Sequence, residues 1–247
     1  MSPDLTLEEL THGLDAVAEE ILAHCGWEQP PVDAFKIAQA MRITIALDDC
    51  QEGRARYVRL RDRSASLPKA TILLRPDPRL ERQQWAVAHE IGEHAAYRVF
   101  DRLGADPRES SPRAREQVAN QLAGRLLIPS CWFSRDALVC RWDLLELKQR
   151  YSTASHELIA RRMLEFRPAV IITIFDQGRV TFRRSNLPGR IPPLSPAEKT
   201  CWQWIHENSE PRETTVGLSS IRGWPVHEPD WKREILRFEV ADFEECI

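Results

Sequence analysis

Two long helical patterns constrain this chain more than any other feature. Residues 78–100 and residues 113–127 each carry apolar side chains at three- and four-residue spacing, and a polar stretch with Pro and Ser at 104–112 separates them. Both helices also hold titratable side chains at positions that helical spacing brings together, so the chemistry of the chain is expected here.

In the first helix, Ala88-His89-Glu90-Ile91-Gly92-Glu93-His94 runs through an apolar set made by Trp85, Val87, Ile91 and Ala95. Residues four apart differ by about 40° in direction, so His89 and Glu93 project side by side and are able to grip one ion. Residues five apart differ by about 140°, which turns His94 away from that ion and makes it a poor substitute ligand.

The familiar zinc-hydrolase helix uses two histidines at i and i+4, and the Glu after the first one takes a proton from the attacking water. Glu90 occupies that base position, while Glu93 stands where the second histidine would be. Carboxylate oxygens bind zinc at about 2.0–2.2 Å, so a His, Glu, Glu set is still able to hold metal. Its two negative charges neutralise the cation and weaken its acidifying effect on water. The set is also harder, which brings manganese or iron into competition with zinc, zinc ranking first. The alternative for Glu93 is a solvated or salt-bridged carboxylate in a protein that holds no metal. Tyr97, four residues after Glu93, is either a donor to a developing oxyanion or a tyrosine at the edge of the core.

A third ligand is expected from the second helix. Glu116 and Asn120 share a face there, while Ala119, Ala123 and Leu127 are small or apolar enough for close helix packing. Asn120 is then a support behind the ligands or a bridge between the helices.

Elsewhere, Leu10, Leu14, Val17, Ala18, Ile21 and Leu22 make residues 7–25 an amphipathic helix, and residues 32–42 repeat the pattern before the β-branched run Ile43-Thr44-Ile45. Residues 55–60 and 71–74 read as two more strands joined by a polar loop, giving a small sheet. After Pro129 come two or three short helices, the clearest at 143–151 and 154–164. Residues 169–175 and 179–184 flank Asp176-Gln177-Gly178 as a hairpin, the Pro-rich stretch 188–196 leads into a Trp-bearing helix, and residues 214–243 read as further strands. The fold class is α+β. Residues 1–130 form a first domain, 131–167 a helical segment, and 168–247 a small α+β domain.

With 34 basic against 37 acidic residues the chain lacks the global positive field of a dedicated nucleic-acid binder. No stretch approaches the roughly 18 apolar residues of a membrane span, and residues 1–10 lack a signal-peptide pattern, so a cytoplasmic location is expected. Cys25, Cys50, Cys131, Cys140, Cys201 and Cys246 form no closely spaced pair and are expected to be reduced, mostly buried thiols. His12, His24, His156, His206 and His227 lack ligand spacing and are expected to be solvated.

Three segments together resemble the ImmA/IrrE family of metallopeptidases over about residues 17–164. They are Pro31-Val32-Asp33 with Ile37-Ala38; Trp85-Ala86-Val87-Ala88-His89-Glu90-Ile91-Gly92; and Glu-x-x-Ala-Asn-x-x-Ala-x-x-Leu-Leu-x-Pro at residues 116–129, the most specific of the three. The resemblance implies a zincin-like peptidase fold, with metal ligands at His89 and Glu116 and the base at Glu90; the family's second histidine falls on Glu93. It further implies a regulatory peptidase, acting in transcription regulation and stress response, whose protein substrate is a repressor-type DNA-binding protein. A catalytically weak or inactive regulator that binds a partner protein through the same groove is the alternative that Glu93 raises. The family's helix-turn-helix-like segment would fall on residues 143–164. Between Phe133 and Arg167 seven Lys/Arg against five Asp/Glu is too slight an excess for DNA binding, so a packing role is expected there.

Overall fold

The computed structural model describes residues 6–60 and 68–240, which gather into two compact units. The first is Met1–Asp136 with Gln149–Ser155, and the second is Ala137–Lys148 with His156–Ile247. The segment at 131–167 is therefore divided between the units rather than standing alone. One cause is visible at Asp143, whose carboxylate accepts the Trp224 indole N–H at 3.1 Å and ties this stretch to the C-terminal sheet.

In the first unit, α1 (Leu7–His24) begins at Thr6. The Thr6 hydroxyl accepts the Glu9 N–H while the Glu9 carboxylate accepts the Thr6 N–H, a reciprocal cap that satisfies two otherwise orphaned donors. Its buried face is Leu10, Leu14, Val17, Ala18, Ile21 and Leu22, the stripe seen in the sequence. A second helix, α2 (Ala34–Ala40), is capped by Asp33. Strands β1 (Thr44–Leu47), β2 (Ala55–Leu60) and β3 (Lys69–Leu74) form a sheet of order β1-β3-β2, with β1 parallel and β2 antiparallel to β3. Strand β2 is thus an edge; most of the polar loop expected after it lies outside the described residues. Helices α3 (Leu80–Arg102) and α4 (Pro112–Leu127) follow, α4 starting with Pro at its first position and with the Ser111 hydroxyl accepting the Ala114 N–H. Val87, Ile91, Val99, Leu122 and Leu126 are fully buried, each such side chain contributing about 1.5–3 kcal/mol.

Three shorter helices come next: α5 (Ser130–Val139), α6 (Leu144–Arg150) and α7 (His156–Met163). The second unit is completed by β4 (Val170–Asp176), β5 (Arg179–Ser185), α8 (Pro196–Asn208), β6 (Arg212–Val216), β7 (Ser219–Pro225) and β8 (Arg233–Glu239). Its sheet has the order β5-β4-β8-β7-β6 and is antiparallel throughout. The β4–β5 hairpin turns through Gln177 and Gly178, both at positive φ (49° and 75°), as a two-residue turn of right-handed strand twist requires. From Val170 to Phe175, β4 is buried on both faces, which explains a sequence that is apolar except for the buried Thr173. Helix α8 covers one face, packing Cys201 and Ile205 against Phe175, Ile221 and Leu236. Among the described residues no helix is long and apolar enough to cross a membrane.

Candidate metal centre

The site depends on how closely α3 and α4 approach. A Cβ built on Gly92 would stand 2.5 Å from the Ala119 carbonyl oxygen, so only glycine permits this backbone-to-backbone contact. The contact lies one residue before Glu93 and one residue before Asn120, and it sets the polar side chains of the two helices face to face. Helix α3 is itself tied to α2: Gln84 donates to Asp33 at 3.0 Å and accepts the Ala34 N–H at 2.7 Å. That clamp gives a physical role to the Asp33 segment. On the other side, the buried Arg125 of α4 pairs with Asp15 of α1 at 2.8 Å.

His89 Nε2 lies 3.6 Å from Glu116 Oε1 and 3.9 Å from Glu93 Oε1. The ligand atoms of His89, Glu93 and Glu116 all fall within 4.8 Å of one another. Tetrahedral ligands at about 2.1 Å from an ion stand about 3.4 Å apart, so small side-chain adjustments suffice. The side chains of Glu93 and Glu116 are 47% and 54% exposed, which leaves room for that adjustment. An imidazole nitrogen and two carboxylates suit a divalent cation, and the residues fit one. Asn120 stands between the ligands, its Oδ1 3.2 Å from His89 Nδ1 and its Nδ2 donating to Glu116 Oε1 at 3.0 Å.

Glu90 is only 5% exposed and accepts the main-chain N–H of Tyr57, on the edge strand β2, at 2.6 Å. Burial pushes its carboxyl above the usual carboxylate range; the Tyr57 N–H opposes this, Glu93 adds to it, His89 opposes it and Glu116 adds to it. His94 is not part of the cluster. Its ring lies 4.9 Å from that of Tyr57, and burial, helped by Arg59, lowers its pKa. Tyr97 is 60% exposed, so it is neither packed into the core nor given a described partner in the cluster.

Tyr57 was not predicted from the sequence, since a main-chain donor on a strand leaves no mark there. Gly92 carried a signal, a glycine inside an apolar helix pattern, though its partner was not readable.

Two expectations fail elsewhere. His206 and His227 are not solvated: His206 Nδ1 and His227 Nε2 each lie 2.8 Å from Oε1 of the fully buried Glu234, and the Trp202 indole N–H meets Oε2 at 3.1 Å. A buried carboxylate needs donors on both oxygens, and these residues supply them. Nor are the thiols mostly buried, since Cys50 and Cys131 are exposed and Cys25 half-buried, against Cys140 and Cys201 buried; Cys246 lies outside the described residues.

A family model for the IrrE N-terminal-like domain of peptidase M78 matches residues 38–164, just over half of the chain. Among solved structures, a Mycobacterium tuberculosis transcriptional regulator has a similar fold, with a TM-score of 0.63 at 18% identity, covering 92% of this chain and 75% of that one. No curated protein matches the sequence.

Proposed function

The chain belongs to the peptidase M78 family of the IrrE N-terminal-like domain, and on that premise we propose that it is a metal-dependent regulatory peptidase acting on a protein substrate. The observation that carries this reading is the meeting of His89, Glu93 and Glu116 within 4.8 Å, beside a buried Glu90.

In this reading His89, Glu93 and Glu116 hold the cation, zinc first, with manganese or iron as competitors for a carboxylate-rich set. When bound, a divalent cation supplies Lewis-acid polarisation of the peptide carbonyl and makes water a stronger acid. Glu90 then accepts the proton of the attacking water and passes it to the leaving amine. The Tyr57 N–H holds one of its oxygens in place at 2.6 Å, which limits the orientations that the base samples. For the substrate we propose a DNA-binding repressor in the cytoplasm; the similar solved structure being a transcriptional regulator is compatible with such a setting.

Glu93 favours one alternative. If the second carboxylate weakens the site enough, the chain is a regulator that binds its partner without cutting it. Elemental analysis of the untreated protein separates the two. About one equivalent of zinc or manganese supports the peptidase; no metal, even after reconstitution, supports the non-catalytic regulator. Replacing Glu90 with Gln should leave the metal bound and lower cleavage by about 10²–10⁴-fold. Cleavage at the wild-type rate would remove Glu90 from the mechanism.

A further inference from the structure

Glu234 is fully buried in the second unit, and the peptidase reading gives it no task. Three donors converge on its carboxylate: the Trp202 indole N–H on Oε2 at 3.1 Å, and on Oε1 the rings of His206, through Nδ1, and His227, through Nε2, each at 2.8 Å. A carboxylate only accepts, so His227 presents its hydrogen on Nε2 and, in the neutral ring, keeps a lone pair on Nδ1. That second nitrogen lies 3.1 Å from Ser209 Oγ. Hydroxyl, imidazole and carboxylate thus stand in series, from an exposed serine down to a carboxylate sealed from water. This is the order in which a base, itself oriented by a third group, activates a hydroxyl nucleophile.

Ser209 ends α8 in the left-handed region, at φ 57° and ψ 31°. Glycine and asparagine fill such a position at less cost, so the backbone gives no reason for a serine there. The main-chain N–H of Glu210, next in the chain, has no hydrogen-bond partner among the described residues. An N–H directly after a nucleophile is a common donor to the oxyanion of an acyl adduct.

We propose that Ser209 is a nucleophile for the acyl group of small esters, with His227 as its base and with Glu234 and His206 as positioning residues. The bond from Ser209 Oγ to the acyl carbon forms as the serine proton passes to His227 Nδ1. Collapse of the adduct breaks the ester C–O bond, and the same proton leaves on the alcohol. Water then gives a proton to Nδ1 and its oxygen to the acyl carbon, the carboxylic acid departs, and the proton returns to Oγ. Ser209 lies at the surface, so the reactivity of the ester matters more than its fit.

None of these residues belongs to the His89, Glu93 and Glu116 cluster, so the test stands apart from the peptidase reading. Full-length protein is treated with a fluorophosphonate probe, which phosphonylates activated serines, with and without a chelator, and the adduct is located by peptide mass spectrometry. The expected result is modification of Ser209 at a rate that the chelator leaves unchanged. In His227→Gln, whose amide is still able to donate to Glu234 but is no base, that rate should fall about 10²–10⁴-fold. Ser209→Gly suits the positive φ and keeps the fold, which thermal melting checks; its hydrolysis of p-nitrophenyl acetate should drop to background. The proposal is overturned if Ser209 is modified no faster than other exposed serines, if His227→Gln reacts at the wild-type rate, if the chelator abolishes the labelling, or if a folded Ser209→Gly variant hydrolyses the ester as the wild type does.

Discussion

At Glu93 the chain offers a carboxylate where the usual i,i+4 zinc helix has an imidazole, and the consequence is a matter of charge. One neutral imidazole and two carboxylates would cancel the double charge of a divalent cation, so a metal bound there would be held by electrostatics at the expense of its acidity. A Glu93→His variant should therefore shift preference from manganese toward zinc, with the ratio of the two affinities changing by about tenfold or more, measured by competition titration of each metal. No change in either affinity would take Glu93 out of the ligand set. The proximity of His89, Glu93 and Glu116, with Glu90 beside them, was readable because helical spacing is local information and Glu116 sits in a long motif. Their restraints were not. Glu90 is held by the main chain of Tyr57, 33 positions away, and Glu234 of β8 meets His206 because α8 packs on the sheet, and His227 because the β7–β8 connection folds back over it.

The same division between local and assembled information holds for the elements. Apolar stripes located α1, α3 and α4, and turn residues located the β4–β5 hairpin, because capping, periodicity and positive φ are written in neighbouring residues. The parallel pairing of β1 with β3 was not legible; it joins Thr44–Leu47 to the strand after next, a choice made by packing. The tightness of the α3–α4 crossing was only half legible. Alanine normally favours a helix over glycine by up to about 1 kcal/mol, so Gly92→Ala on a loose crossing would stabilise the protein. Here the added methyl would meet the Ala119 carbonyl at 2.5 Å, and α3 would have to retreat by about 1 Å to reach ordinary contact. The expected outcome is a net loss of about 1–3 kcal/mol in urea unfolding, together with weaker zinc binding as His89 and Glu116 separate. A variant more stable than the wild type would show that the crossing is not close-packed at this point.

Two cores give the whole molecule two sources of stability, and acid should act strongly on the second through Asp176. This carboxylate, at the end of β4, accepts Arg233 Nε at 2.6 Å and Nη2 at 3.0 Å, the Thr181 hydroxyl at 2.8 Å and the Trp231 indole N–H at 3.1 Å. Burial alone would raise its pKa, but the Arg233 and Thr181 hydrogen bonds, the Arg233 charge and the Trp231 bond outweigh it and hold the carboxyl below its ordinary value. In the unfolded chain Asp returns to about 3.9, so over the window between the two values the unfolded state binds the proton more readily. The contribution of this pairing is therefore complete above about pH 5 and is lost as pH falls through the depressed folded pKa. Asp176→Asn should lower stability at pH 7 by about 1–3 kcal/mol, since it leaves the half-buried Arg233 with Glu157 as its remaining carboxylate partner. Hydrogen exchange of the β4 and β8 amides locates the effect in this unit. Their protection should fall from pH 5 toward pH 3 more steeply in the wild type than in the variant, once intrinsic exchange rates are divided out, and the two curves should converge at the acid end. Curves that stay parallel across the range would mean that Asp176 titrates alike in the folded and unfolded chains, and that its contacts add no acid sensitivity to the fold.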